Sequence, residues 1–99
     1  MAVAATLITA LVQAPVAFAA RRQPLGSRVL RRGMSGSDVR ALQTDLSRAG
    51  FHTPAVGVFG PITQRNVSAF ERRFHLRANG VANHAFFREL SLVLATGAG

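Results

Sequence analysis

Few side chains in this 99-residue chain could carry out acid–base or nucleophilic chemistry, because it has four carboxylates and no cysteine. A glycosidase needs two carboxylates flanking a sugar, one of them with a raised pKa. Asp38 fits a helix start, where negative charge is favourable, and helical spacing puts Asp45 and Glu71 on outer faces. No catalytic pair is indicated, and no serine or cysteine nucleophile motif is present. The sequence predicts that the protein is not an enzyme.

The three histidines are the remaining candidates for metal binding or proton transfer. His52, His75 and His84 match no recognised metal-ligand spacing, and there is no cysteine to complete a zinc site. The absence of cysteine also excludes disulfides, so stability has to come from packing. We therefore expect no metal and no cofactor.

All 12 cationic side chains are arginines, and with the four acids they give a net charge of +8. Guanidinium groups match the geometry of carboxylates and phosphates, so this composition favours anionic partners such as nucleic acid, anionic polymers or membrane headgroups. Helical spacing places Arg65, Asn66, Arg72 and Arg73 on the outer surface of one predicted helix. There they could bind anionic groups, or they could form a solvated face.

Three short helices are predicted to position these side chains, and no segment alternates as a strand does. The first helix is expected over residues 35–49, with Ser35 or Ser37 as its N-cap. The second is expected over residues 61–74, and the third from about residue 83. The fold class is therefore all-α, a small three-helix domain with long turns that contain Gly and Pro.

The turn at residues 57–63 is the most informative stretch of the chain. Its two glycines suit a tight turn, and Pro61 suits the first position of a helix. Phe59 is predicted to fold back onto the core. A weaker copy begins at Gly80 and enters the third helix through Asn83, a favourable N-cap residue. The chain is therefore expected to be a helix followed by two similar loop–helix units.

The first 20 residues carry no charge and end in a small-x-small site at residues 17–19, which predicts a signal peptide. The alternative is an uncleaved anchor, although Gln13 and Pro15 interrupt the apolar run. Residues 21–29 have the composition of a linker. We expect the domain over residues 30–94 and a frayed tail over 95–99.

An ordered set of residues between 30 and 90 carries a family resemblance. The set consists of residues 30–36, Val39, Leu42, Gln43, Leu46, Gly50, Phe51, residues 57–61, Thr63, Val67, Phe70, Leu76, Gly80, Val81 and Leu90. It resembles the peptidoglycan-binding domain of the three-helix type. The chain departs from the family pattern at Val56, usually Asp, and at Glu71, usually Gln. Asn83 and Phe86 stand where the second loop commonly repeats the Gly and Thr of the first.

The resemblance implies a non-catalytic module that binds bacterial peptidoglycan, and the predicted signal peptide implies export to the cell wall or periplasm. The arginines suggest anionic wall polymers as further partners, and the family's usual attachment to wall hydrolases suggests a wall hydrolase in trans. We expect the module itself to be monomeric. The implied site is a shallow groove between the central loop and the second helix, with backbone groups near Gly57 and Gly60 meeting acetamido or peptide groups. The candidate ligand-binding residues are Gly57, Phe59, Gly60, Thr63, Arg65, Asn66 and Arg72.

Three alternatives to this interpretation stay open. The loop residues Phe59, Ile62 and Thr63 could serve only to close the core and cap the second helix. The whole chain could be a small basic three-helix protein that binds nucleic acid through phosphate contacts. It could also be a degenerate wall-binding domain that folds without binding a ligand.

Overall fold

The computed structural model describes residues 24–97, and the predicted signal peptide lies outside them. The described residues form three α-helices, α1 (Ser37–Arg48), α2 (Pro61–Arg73) and α3 (His84–Thr96). In this part of the chain the only β-type pairing is two isolated antiparallel bridges. The predicted all-α fold is confirmed. No helix among the described residues has the length and apolar character needed to cross a membrane.

The core lies between α1 and the other two helices, with Phe70 of α2 at its centre. The Phe70 ring centroid is 4.6 Å from that of Phe74, 4.9 Å from Phe86 and 5.7 Å from Phe51. Such distances are typical of packed aromatic pairs. The apolar faces predicted for the three helices point into this core. Its fully buried members include Leu30, Val39, Leu42, Leu46, Phe59, Val67, Phe70, Ala82, Phe86 and Leu90.

The segment before α1 holds both interhelical loops in place. Leu30 and Ala82 exchange backbone hydrogen bonds of 3.0 and 2.8 Å. Gly33 donates its N–H to the Phe59 carbonyl at 2.9 Å, and Phe59 donates to the Met34 carbonyl at 2.8 Å. One extended segment therefore pairs with the loop before α2 and with the loop before α3. This arrangement agrees with the prediction of a helix followed by two similar loop–helix units.

The helix starts agree with the sequence prediction at α2 and α3 but not at α1. Pro61 is the first residue of α2, and Asn83 caps α3 by accepting the Phe86 N–H at 3.0 Å. The prediction of a serine N-cap for α1 is wrong, because the N-cap residue is Gly36, which has no side chain that could cap the helix. Gly36 has a φ of 145°, which favours glycine, and its N–H bonds the Gly57 carbonyl at 3.0 Å. The central loop therefore decides where α1 begins.

The end of α3 also differs from the expected domain limit. The helix includes residues 95 and 96, which the sequence assigned to the tail, and Gly97 ends it in the left-handed conformation with a φ of 71°. The Thr96 hydroxyl donates to the Leu92 carbonyl at 2.9 Å, which extends the bonding of the last turn. Small side chains at this end did not prevent helix formation.

Candidate functional site

The side-chain amide of Gln43 fixes the central loop between α1 and α2. Its Oε1 accepts the Gly57 N–H at 2.8 Å, and its Nε2 donates to the Val58 carbonyl at 2.8 Å. The same Nε2 donates to Thr63 Oγ1 at 3.0 Å. Gln43 is fully buried, so these bonds satisfy an amide that could not otherwise leave water without a large cost. This one side chain joins the loop to the first turn of α2.

A shallow groove lies between this loop and the start of α2, with a volume of about 300 Å³. Three of its exposed side chains are aliphatic: Val56 is 63% exposed, Val58 54% and Ile62 44%. Pro54, Gly60 and Pro61 complete most of the lining. Large aliphatic side chains left in contact with water on a small domain commonly mark a binding surface. The groove is therefore the first candidate for a ligand site.

A second, more polar depression of about 380 Å³ adjoins the groove and shares Val56 with it. Gly36, Ser37, Arg40 and Gly57 form the rest of its lining. The Arg40 side chain is exposed, and a Cβ built on Gly57 would lie 3.9 Å from Arg40 Nε. A guanidinium group thus lies beside the Gly57 backbone, next to the aliphatic groove.

The loop residues predicted as ligand-binding have different positions in this site. Gly60 and Thr63 line the groove, although the Thr63 side chain is buried and hydrogen-bonded to Gln43. Phe59 is only 1% exposed and belongs to the core. The Gly57 N–H and carbonyl are already engaged, by Gln43 and by the Gly36 N–H. The structural alternative thus accounts for Phe59 and for the polar group of Thr63.

The polar residues predicted on the outer face of α2 also differ in their exposure. Arg65 and Arg72 are exposed on this helix and lie outside the lining of the groove. Asn66, predicted on the same outer face, is half-buried instead. Its Nδ2 donates to the His52 carbonyl and to Thr53 Oγ1, both at 2.8 Å. Asn66 therefore anchors the residues that lead into the central loop, while the two arginines remain available to solvent.

Glu71 is buried, and its predicted position on an outer helical face is wrong. Only 1% of its surface is exposed, and its Oε1 accepts the Gly80 N–H at 2.9 Å. This repeats, in the second loop–helix unit, the bond that Gln43 makes to Gly57. Helix periodicity missed it because the second loop folds over this face of α2. The sequence does contain a signal for this burial. Phe70-Glu71 precedes the glycine loop at residue 80, as Leu42-Gln43 precedes the glycine loop at residue 57.

Burial raises the pKa of the Glu71 carboxyl above its ordinary value of 4.5, and hydrogen bonds from the Gly80 and Asn79 backbone oppose this only in part. The folded state therefore binds the Glu71 proton more tightly than the unfolded state does. This contribution to stability is full below pH 4.5 and is lost as the pH rises through the raised pKa.

Replacing Glu71 with Gln removes this ionisation while keeping an oxygen that can accept the Gly80 N–H. We expect the free energy of unfolding of the Glu71→Gln variant to rise relative to the wild type as the pH is raised from 4 to 7. Urea unfolding of both proteins at several pH values measures this difference, and other titrating groups cancel in it. A difference that stays constant with pH would contradict the assignment.

Two of the other acids, Asp38 and Asp45, form ion pairs. Asp38, which is buried, accepts two bonds from Arg28, of 2.7 Å from Nε and 3.1 Å from the second guanidinium nitrogen. The Arg28 guanidinium holds the pKa of the Asp38 carboxyl below its usual range. Asp45 pairs with Arg48 at 3.2 Å. Over residues 24–97, no group of three or more His, Asp or Glu side chains could hold a metal ion.

Comparison with known proteins identifies the family. The family model of the peptidoglycan binding domain matches residues 35–90, more than half of the chain. The chain therefore belongs to this family, as the sequence resemblance predicted. A relative from Bacillus licheniformis, named probable N-acetylmuramoyl-L-alanine amidase, is 36% identical over 74 residues. That match covers 72% of this chain but 21% of the relative, so the chain spans about a fifth of the relative's length.

Two solved structures illustrate the shared fold. The SleB N-terminal domain superposes with a TM-score of 0.68 and 33% identity, over 72% of this chain and 99% of that one. A peptidoglycan-binding protein from Clostridioides difficile gives a TM-score of 0.64 and 31% identity, over 66% of this chain and 41% of that one. The three-helix architecture is thus that of a cell-wall-binding module.

Proposed function

We propose that this protein is a non-catalytic module that binds bacterial peptidoglycan through the groove between the central loop and α2. The observation that carries the proposal is an exposed aliphatic groove beside the loop that Gln43 fixes, within a family whose model is a peptidoglycan binding domain. Charge alone would also permit nucleic acid, but the family match favours the wall polymer.

The proposed place of action is the cell wall, reached by export. Family membership supports this location, and the signal peptide predicted over residues 1–20 is the proposed route. The amidase name of the Bacillus relative supports a role beside a wall hydrolase, which this module would hold on the polymer. We propose no catalytic step for the module itself, since the carboxylates of residues 24–97 are committed to ion pairs or buried, apart from Glu89.

Arg65 and Arg72 are proposed to add attraction to anionic wall groups. Both are exposed on α2, and neither makes an ion pair with any described residue. Exposed charges act at long range and are screened by salt within a Debye length of about 8 Å at physiological ionic strength. Their contribution should therefore be additional to the groove and sensitive to salt.

The double substitution Arg65→Ala with Arg72→Ala tests this role of the arginines. We expect co-sedimentation with peptidoglycan sacculi to fall roughly three-fold at low salt and to change little at moderate salt, because the lost attraction is screened there. The control is Arg77→Ala with Arg88→Ala, which removes the same charge from exposed positions outside α2. Equal losses in both double variants, or no loss in either, would show that the α2 arginines have no specific role.

A further inference from the structure

The chemistry of the groove does not suit a sugar ring. Val56, Val58 and Ile62 supply exposed aliphatic side chains, and the other exposed residues of its lining, Pro54 and Pro61, are also apolar. The one side-chain hydroxyl in the lining, that of Thr63, is buried and accepts a hydrogen bond from Gln43. A sugar ring carries polar groups on most of its carbons, and polar groups that lose water without a partner cost binding energy. Methyl-sized apolar groups fit this surface better.

No aromatic side chain among residues 24–97 lines the groove or the neighbouring depression, so neither offers a platform for sugar stacking. The chain contains no Trp and no Tyr. The phenylalanines of the described part are either buried or half-buried, and none is exposed. Amphipathic rings that offer one flat face to a ligand are therefore absent from this surface. The groove therefore offers little that would recognise the glycan strand.

Arg40 supplies a cation at the edge of the groove. It lines the neighbouring depression, which shares Val56 with the groove, and its guanidinium group lies beside Gly57. Unlike Arg28 and Arg48, it makes no ion pair with any described residue. A guanidinium group binds a carboxylate through short, charge-assisted hydrogen bonds, often two at once. Aliphatic surface and a free guanidinium group therefore occur next to each other.

We propose that the module recognises the stem peptide of peptidoglycan, with an alanine methyl group in the aliphatic groove and the terminal carboxylate on Arg40. This inference rests on the proposed function and names the part of the polymer that is bound. Alanine provides a small apolar side chain, and a chain end provides the adjacent negative charge. The groove and the depression, joined at Val56, match both features side by side.

Free peptides test this assignment directly. The probes are a synthetic stem pentapeptide ending in D-alanyl-D-alanine, the same peptide with a C-terminal amide, and the neutral glycan N,N′-diacetylchitobiose. We expect NMR titration to show binding of the carboxylate peptide, about ten-fold weaker binding of the amide, and no binding of the glycan. Glycan binding tighter than peptide binding, or equal affinity for the two peptides, would overturn the inference.

The Arg40→Gln variant assigns the carboxylate contact to one residue. We expect it to bind the two peptides equally, while the Arg88→Gln variant, which loses an exposed charge on α3, keeps the ten-fold preference. A preference that survives in Arg40→Gln would remove Arg40 from the site.

Intact sacculi separate failure of this inference from failure of the proposed function. The protein is expected to pellet with intact sacculi and not with beads that carry the peptide-free glycan strands released from sacculi by an amidase. If it pellets equally with both, the module binds peptidoglycan through the glycan, and only the stem-peptide assignment falls. If it pellets with neither, the proposed function itself fails.

Discussion

Replacing Gln43 with leucine is expected to lower the free energy of unfolding by about 3 kcal/mol, because buried polar groups would lose their partner. Leucine has a similar size, so little cavity forms. The Gly57 N–H, the Val58 carbonyl and the Thr63 hydroxyl, however, are each left without the amide that bonds them. A loss of this size is a large fraction of the stability of a small domain. Urea unfolding monitored by circular dichroism measures it.

The neighbouring Thr44 offers a control on the same helix. It is exposed, so Thr44→Ala should change the free energy of unfolding by less than about 0.5 kcal/mol. If Gln43→Leu were as mild as this control, the amide would not be what holds the central loop. In that case the Gln43→Leu variant should also lose no more binding to sacculi than its fraction of unfolded protein explains.

The second large effect is expected at the aliphatic groove. The double substitution Val58→Thr with Ile62→Gln replaces exposed apolar surface with polar surface of similar size. Burying two such side chains against a ligand should contribute on the order of 1 kcal/mol each or more, so binding to sacculi should weaken by more than about ten-fold. Because Val58 is 54% exposed and Ile62 44%, the fold should tolerate both changes. Co-sedimentation with sacculi measures the affinity.

Leu92 provides the matched control, since it is also 54% exposed but lies on α3, outside the groove lining. Leu92→Gln should leave co-sedimentation unchanged. Weakening of binding by Leu92→Gln to the same extent would mean that general surface hydrophobicity, rather than the groove, drives association. Unfolding curves of all three proteins exclude loss of stability as the cause.

Local signals in the sequence were sufficient to predict the three helices. Pro61 and Asn83 mark helix starts through properties of their own side chains, and both predictions are confirmed. The start of α1 is set instead by a hydrogen bond from Gly36 to Gly57, twenty-one residues away. The residues around Ser35 do not reveal that contact, so the sequence predicted a serine N-cap instead.

The same reason explains the errors on α2. Periodicity identifies the face that meets other helices, but it does not show where loops fold over the remaining surface. Glu71 and Asn66 were placed outside on that basis, yet one holds the loop at Gly80 and the other holds the loop at Thr53. Both are polar side chains that bond backbone or hydroxyl groups of a loop. Such roles can be predicted only when the loops of the internal repeat are considered together with its helices.

The sequence predicted the location of the candidate groove better than the residues that line it. The sequence placed a groove between the central loop and the second helix, and the structure has an aliphatic groove there. The side chains that define it, Val56, Val58 and Ile62, were not among the candidates, and neither was Arg40. Three exposed aliphatic residues around one glycine turn were the missed signal. They flank the loop backbone that Gln43 bonds at Gly57 and Val58.

Co-sedimentation with purified sacculi, stripped of teichoic acids, tests the central claim most directly. We predict that the wild-type protein pellets at low and at moderate salt, and that the Val58→Thr with Ile62→Gln variant stays in solution at moderate salt. Binding of the wild type that disappears at moderate salt would reduce the interaction to attraction between arginines and anionic surfaces. Folded wild-type protein that stays in solution at both salt concentrations would contradict the account and indicate a degenerate domain.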